Sequence, residues 1–382
     1  MGVNMTITIT GYNALCNLGN NIDDIYKKAI YGNNQCFEYI QNYLPEKPLR
    51  AGLIKIDLPL IFDTNFDLRC NKLIIKNLEL LEINIEKLYR KYSSDKIGVV
   101  CATTNSGVEE FEKSKNPKHY MLSNPALFVM NYLNLKGFYT TVSTACSSGI
   151  KAFSLGRDLL NRDICDTVII ICVDILTKVP VFGFDSLEIL SYEPSIPFSK
   201  NRTGMNIGEA CSIFIIEKNT KSGIQIMGIG ESSDIYHSTT PDPNGKEAIK
   251  AIKIALKDAK IGAENVDYIN AHGTGTIAND VMEANAIWNV FQNKVPVSST
   301  KAMTGHCLGA AAGIETALCC KLLENFDGKL YPNVYDEEFD FNLPKINLIK
   351  KNNQYQKCNV CMCNSFGFGG TNDIIILGNK HG

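Results

Sequence analysis

The sequence predicts an α/β protein in which one α/β unit is used twice. Two observations carry this. β-like and helical runs alternate along the whole of the 382 residues, the pattern of a layered α/β fold. The two halves also repeat the same order of signals. Each begins with a β-run ending in glycine (Ile9-Thr10-Gly11, then Ile226-Met227-Gly228) and closes on an apolar strand. Each also carries a Ser-Thr turn before a small-residue helix, Ser143-Thr144-Ala145-Cys146 and Ser299-Thr300-Lys301. The polar run Asn219-Thr220-Lys221-Ser222-Gly223 marks the seam, giving halves 1–220 and 221–382.

Strands are expected at 6–10, 97–102, 139–142, 167–173 and 212–216 in the first half, where β-branched residues cluster. Helices are expected at 71–92 and 150–160. The second half places strands at 224–229, 266–270, 295–298, 360–363 and 373–377, and helices at 246–260, 280–291 and 309–324. In the first of these helices Ile249, Ile252, Leu256 and Ala259 recur with a period near 3.6 and form the expected buried face. Segment 192–206, with Pro194, Pro197 and Gly204, reads as irregular, and 237–245 as a rigid Pro/Asn/Gly loop.

Composition narrows the function. Hydrophobic residues make up 45% of the chain, and 38 basic against 40 acidic side chains leave a net charge of −2. That is no footprint for general nucleic-acid or membrane-surface binding. The longest apolar runs, such as residues 168–173, fall far short of the ~20 residues a bilayer span needs. The first eleven residues alternate as a strand would and lack the basic and apolar regions of a secretory signal. Fourteen cysteines without a small disulfide framework point to a reducing cytosol. Cys358, Cys361 and Cys363 include a CxxC, but no second pair stands at ligand spacing, and no metal site is expected.

The chemistry concentrates in four segments. Cys146 ends a β-run and precedes Ser147-Ser148-Gly149 and an apolar-periodic helix, so its thiol is expected beside a helix N-terminus. There, unpaired N–H groups and the helix dipole favour a thiolate and can hold an anion formed next to the sulfur. His272 follows the apolar run 266–269 and opens Gly273-Thr274-Gly275-Thr276, a loop at a strand's C-terminal end where ligands bind in α/β sheets. His306 lies between Lys301 and a run of small residues that reads as a buried helix. Within that helix Glu315 is an expensive charge unless paired, and Lys301 is the nearest cation. Last, Gly367-Phe368-Gly369-Gly370 permits close backbone approach but lacks the spacing of a phosphate loop.

In this order, together with Asn279-Asp280, Pro197-Phe198, Arg202-Thr203-Gly204, Gly208-Glu209 and Pro241-Asp242-Pro243, these segments resemble the elongating β-ketoacyl-ACP synthases, the KAS I/II branch of the thiolase superfamily. The resemblance covers nearly the whole chain. It implies a thiolase-like fold, a five-layer αβαβα sandwich built from the duplicated half. It implies that Cys146 takes an acyl group from an acyl carrier protein, with the oxyanion held by the N–H groups of Cys146 and Phe368. Malonyl-ACP then loses CO2, and its enolate, hydrogen-bonded by His272 and His306, attacks the Cys146 thioester in a Claisen condensation. Lys301 and Glu315 would orient the histidines. Thr274 and Thr276 would bind the pantetheine amides. Phe368, with Phe366, would gate an acyl pocket that Phe198 and Asn105 also line. No cofactor beyond the carrier's phosphopantetheine is implied.

The chain departs from the pattern in three places. It is shortened between Gly107 and Pro125, Phe198 is followed by Ser199 rather than Asp, and Asn105 is polar where aliphatics are common. With Met205-Asn206-Ile207 before Gly208, the pattern resembles the synthases of aryl-polyene or dialkylresorcinol pathways, which often pair with a second ketosynthase-like chain. A homodimer or such a heterodimer is therefore expected, with an acidic carrier protein docking on Arg69, Lys72, Lys76 and Arg202. Two other readings stand beside condensation: a silent chain-length-factor-type partner, and an acyltransferase or decarboxylase using the same cysteine. Cys146 speaks against the first, and the complete His272/His306 pair against the second.

Overall fold

The computed structural model describes residues 6–45, 47–220 and 222–379. Residues 1–5, in the expected N-terminal strand, and Lys221, in the expected seam, lie outside the described residues. Along one half of the chain the strands lie in the spatial order Tyr139–Val142, Ile97–Ala102, Thr167–Asp174, Ala210–Lys218, Ile7–Cys16. The first two pairings are parallel and the last two antiparallel. The other half repeats this with Pro296–Ser298, Tyr268–Asn270, Val360–Phe366, Thr371–Asn379 and Ile224–Ser233. Its pairings follow the same sequence, parallel twice and then antiparallel twice. Asn347–Leu348 adds an edge strand to the second set. Ile7–Ile9 pairs antiparallel with Ile224–Ile226, so hydrogen bonds run through 11 strands.

The layers follow from what each face buries. Helices Ser148–Asn161 and Ala311–Asn325 lie between the two sets of strands and share one large apolar cluster with the inner faces of both. Arg69–Glu79 and Asn124–Tyr132 cover the outer face of the first set, and Lys246–Ala259 with Ile277–Phe291 covers the second. This is the αβαβα sandwich. The middle helices meet closely: a Cβ on Gly149 would stand 2.9 Å from Ala312 Cβ and 3.0 Å from the Gly313 nitrogen, so only glycine permits the crossing. No described helix is long and apolar enough to cross a membrane.

Two elements differ from expectation. The segment 71–92 is two helices, Arg69–Glu79 and Glu82–Lys91, because Leu81 leaves helical geometry (φ −108°, ψ 12°) while its side chain is buried. In Lys246–Ala259 the buried face is Ala248, Ala251, Ile252, Ala255 and Leu256, while Ile249 and Ala259 are only partly buried. The sheet accepts the alanines because the strand beneath carries Gly228 and Gly230, where any Cβ would strike the helix backbone. A further small sheet, Glu38–Ile40, Leu49–Gly52 and Ile207–Gly208, was not signalled by periodicity because its strands are too short to show any.

Candidate active site

The strand ends converge on one point. Cys146 stands just before Ser147, the N-cap of the middle helix, in a turn where Ala145 adopts φ +53°. A left-handed alanine is a strained residue that its surroundings must hold in place. Here the Thr144 N–H donates to Ser148 Oγ (2.8 Å), and Ser147 Oγ donates to Thr144 O (2.9 Å). The N–H groups of Cys146 and Phe368 lie near enough to the sulfur to favour its anion. Burial nevertheless pushes the thiol up to about 11, outweighing Lys301 and those two donors. The expectation that the helix terminus yields a thiolate is thus corrected. In a buried turn, desolvation of the anion exceeds the dipole.

His272 and His306 complete the cluster. A ring nitrogen of each and Cys146 Sγ lie within 4.8 Å of one another, and all three residues are buried. The rings meet edge-on with centroids 5.4 Å apart. His306 Nδ1 accepts the Leu308 N–H at 3.0 Å. His272 Nδ1 faces Lys301 Nζ at 3.2 Å. Both rings therefore carry their proton on Nε2. Burial and then Lys301 hold both histidines well below their ordinary range, so they are neutral donors. Lys301 pairs with Glu315 with both side chains 1% exposed, as the apolar run around Glu315 led one to expect.

Three residues that carry the site were missed by motif reading. Glu283 accepts from the His272 and Gly273 N–H groups (2.8 and 2.6 Å) and from Asn364 Nδ2 (2.9 Å), fixing the histidine loop. Burial raises its carboxyl to about 7. The sequence signal was a carboxylate on the inner face of an apolar helix. Asp174 accepts from Thr103 and Thr104 hydroxyls, the Thr104 and Asn105 N–H groups, and Gly309 N, joining two walls of the site. Phe184 stands 5.8 Å from Phe368 and 6.5 Å from His306, ring to ring.

Two cavities meet at Cys146. One, of about 310 Å³, reaches from Cys146, His272 and His306 past Phe366, Phe368, Thr274 and Thr276 to a loop holding His237 and Pro241. Thr274 and Thr276 hydroxyls are 2.8 Å apart in its wall. The other, of about 300 Å³, is lined by Asn105, Thr104, Ser143, Val179, Leu308 and Phe368. Gly370, at the end of the Phe368 loop, has φ +85°, and a Cβ there would lie 1.8 Å from Asp234 O.

Phe198 belongs to neither cavity. It is 1% exposed, and its ring packs beneath Gly273 while its N–H donates to an Asp280 carboxylate oxygen (2.7 Å), so it supports the His272 loop from below. Arg202 is also corrected: it is 6% exposed and ion-paired with Asp340 at 2.6 Å, because buried Asp280 and Asp340 require a cation. Arg69 is turned inward onto buried Glu209 at 2.8 Å. Lys72 and Lys76 pair with Asp67 and Glu79. The four do not form an open basic surface. Cys361 and Cys363 alternate in a strand as expected, with Cys358 Sγ 3.5 Å from Cys361 Sγ.

A nucleophilic thiol, two N–H donors at its sulfur and two neutral imidazole donors define an acyl-transfer site on a duplicated α/β fold. The chain belongs to the β-ketoacyl synthase family: residues 79–222 match its N-terminal domain and 224–334 its C-terminal domain. The 3-oxoacyl-[acyl-carrier-protein] synthase 2 of Coxiella burnetii is 35% identical over 261 residues, 64% of this chain and 62% of that protein. The enzyme of the same name from Synechocystis is 30% identical across 96% of both chains. Among solved structures, the ketosynthase ApeO from Xenorhabdus doucetiae, in complex with its chain length factor ApeC, is 32% identical. That likeness covers 99% of this chain and 100% of ApeO, with a TM-score of 0.93. The activity is that of an acyltransferase, a β-ketoacyl-ACP synthase.

Proposed function

We propose that the chain condenses an acyl group held on Cys146 with malonyl-ACP, in a specialised polyene or polyketide pathway of the type II kind. The observation that carries the mechanism is the convergence of one thiol and two neutral Nε2–H groups within 4.8 Å. In the first half-reaction Cys146 Sγ attacks the acyl thioester, and the oxyanion sits on the Cys146 and Phe368 N–H groups. The pantetheine thiolate leaves and takes the proton that the Cys146 thiol gives up. In the second, the malonyl carboxylate departs as CO2 and the electron pair becomes an enolate, whose oxygen accepts from His272 and His306. The enolate carbon attacks the thioester carbon, and Cys146 leaves as a thiolate that is reprotonated. Lys301, held by Glu315, keeps both imidazoles neutral and His272 oriented. Nothing in these steps calls for a metal or a further cofactor.

The cavity past Thr274 and Thr276 suits the pantetheine arm, and the cavity at Asn105 suits the acyl chain, with Phe368 and Phe366 between them. The fourteen cysteines, free in the described structure, support a cytosolic setting. A ketosynthase-like partner is supported by ApeO's complex with its chain length factor. It is further supported by the open edge of strand Tyr139–Val142, beside which Tyr132, Phe138 and Tyr139 are 49%, 43% and 42% exposed. The test is intact-mass spectrometry with a panel of acyl carriers. An acyl adduct on Cys146, discharged on adding malonyl-ACP, is the expected result. Failure of every acyl carrier to load Cys146 overturns the reading.

A further inference from the structure

Antiparallel register puts Ser365, Asp373 and Glu231 side by side on three adjacent strands. Directly paired residues share one sheet face, and this face meets the start of the nucleophile helix. Ser365 Oγ donates to Cys146 O at 2.8 Å. Lys151, one helical turn beyond Ser147, donates to Glu231 Oε2 at 2.7 Å. Between these two contacts lies Asp373, fully buried against Ser147. The Ser147 hydroxyl proton is committed to Thr144 O, and both Asp373 oxygens lack a hydrogen-bond partner. The row thus touches residues 146, 147 and 151 in turn. Asp373 also lies in the strand Thr371–Asn379 that leaves the Phe368 loop.

We propose that Asp373 is a positioning residue for acyl loading: buried between Ser147 and Glu231, it keeps the Cys146 turn and the Phe368 loop in register. This rests on the reading that Cys146 is loaded with an acyl group. An unpartnered buried carboxyl beside a like-charged neighbour favours its protonated form. Burial first, and then Glu231, push Asp373 up to about 7, against the opposing pull of the Lys151 ammonium. The charged groups facing it are Glu231 from the neighbouring strand and Lys151 from the helix. Once ionised, Asp373 puts a negative charge beside Ser147, next to the turn whose Cys146 N–H helps hold the oxyanion, and loading slows.

The experiment follows single-turnover acylation of Cys146 by mass spectrometry, from pH 6 to 8.5, in wild type, Asp373→Asn and Glu231→Gln. The ratio of the Asp373→Asn rate to the wild-type rate should rise about threefold across this range, since asparagine cannot ionise. Glu231→Gln removes the like charge and should move the wild-type inflection to lower pH, and this arm carries the test if Asp373→Asn does not fold. A flat ratio together with an unmoved inflection overturns the positioning role while leaving loading intact. A wild type that never loads Cys146 instead overturns the function on which the role rests.

Discussion

Lys301 holds its ammonium 3.2 Å from Nδ1 of His272, inside a pocket where neither residue is more than 2% exposed. A fixed positive charge this close to a buried imidazole does two things. It forbids the imidazolium, and it leaves Nε2–H as the face presented to substrate. Glu315 pairs with it from the buried helix.

Removing Lys301 alone should therefore be costly. Lys301→Met strands Glu315 in the core, and a loss of about 3–5 kcal/mol is expected in urea unfolding. Lys301→Met with Glu315→Leu should recover most of that stability but not malonyl decarboxylation. If the double variant decarboxylates at the wild-type rate, the ion pair does not serve the histidines.

His306→Ala should still accept acyl groups on Cys146 while losing decarboxylation by about 10²–10³-fold, the usual effect of deleting one donor to a developing oxyanion. The two steps are measured separately, by intact mass and by CO2 release. Equal loss of both would contradict the division of labour between the imidazoles and the backbone donors.

A thiol held near 11 predicts a particular pH profile. Alkylation of Cys146 by iodoacetamide should rise about tenfold per pH unit between 8 and 10, following the thiolate fraction. A plateau below pH 8 would mean that the helix terminus does win over burial.

Stability should also report the histidines. Both have depressed values when folded and ordinary ones near 6.5 when unfolded, so the unfolded chain binds more protons below that pH. Their contribution is full above pH 6.5 and is lost as pH falls toward the folded values, by up to about 1.4 kcal/mol per unit for each. Against wild type, His272→Gln/His306→Gln should lose stability less steeply between pH 6.5 and 5 in urea titrations. Identical slopes would count against neutral histidines.

Asn105 lines the cavity proposed for the acyl chain, so Asn105→Phe should slow loading of long acyl chains by about tenfold or more while sparing short ones, read from the same panel of carriers. Uniform slowing at every length would place the acyl chain elsewhere.

Much of this site was legible in the chain. Cys146, His272, Lys301 and His306 each had a purely structural reading of their own, and it was their order along the chain, matching one family's pattern, that marked them together. Glu283, Asp174 and Asp373 were not legible in the same way. Glu283 acts through Gly273, 10 residues away, Asp174 through Gly309, 135 residues away, and Asp373 lies beside Ser147 from another strand. The misplacement of Arg202 has the same origin. Its Pro- and Gly-rich segment reads as surface, yet Asp280 and Asp340 arrive from distant elements and bury it.

Local order therefore determined the α/β class and the repeat, because periodicity and turn chemistry act over a few residues, and the order of motifs along the chain marked Cys146 as the nucleophile. Only the tertiary structure decided the charge states. Whether Cys146 is a thiol, whether the imidazoles are neutral and where Asp373 titrates depend on desolvation and on partners from other strands, and no local stretch of sequence specifies either.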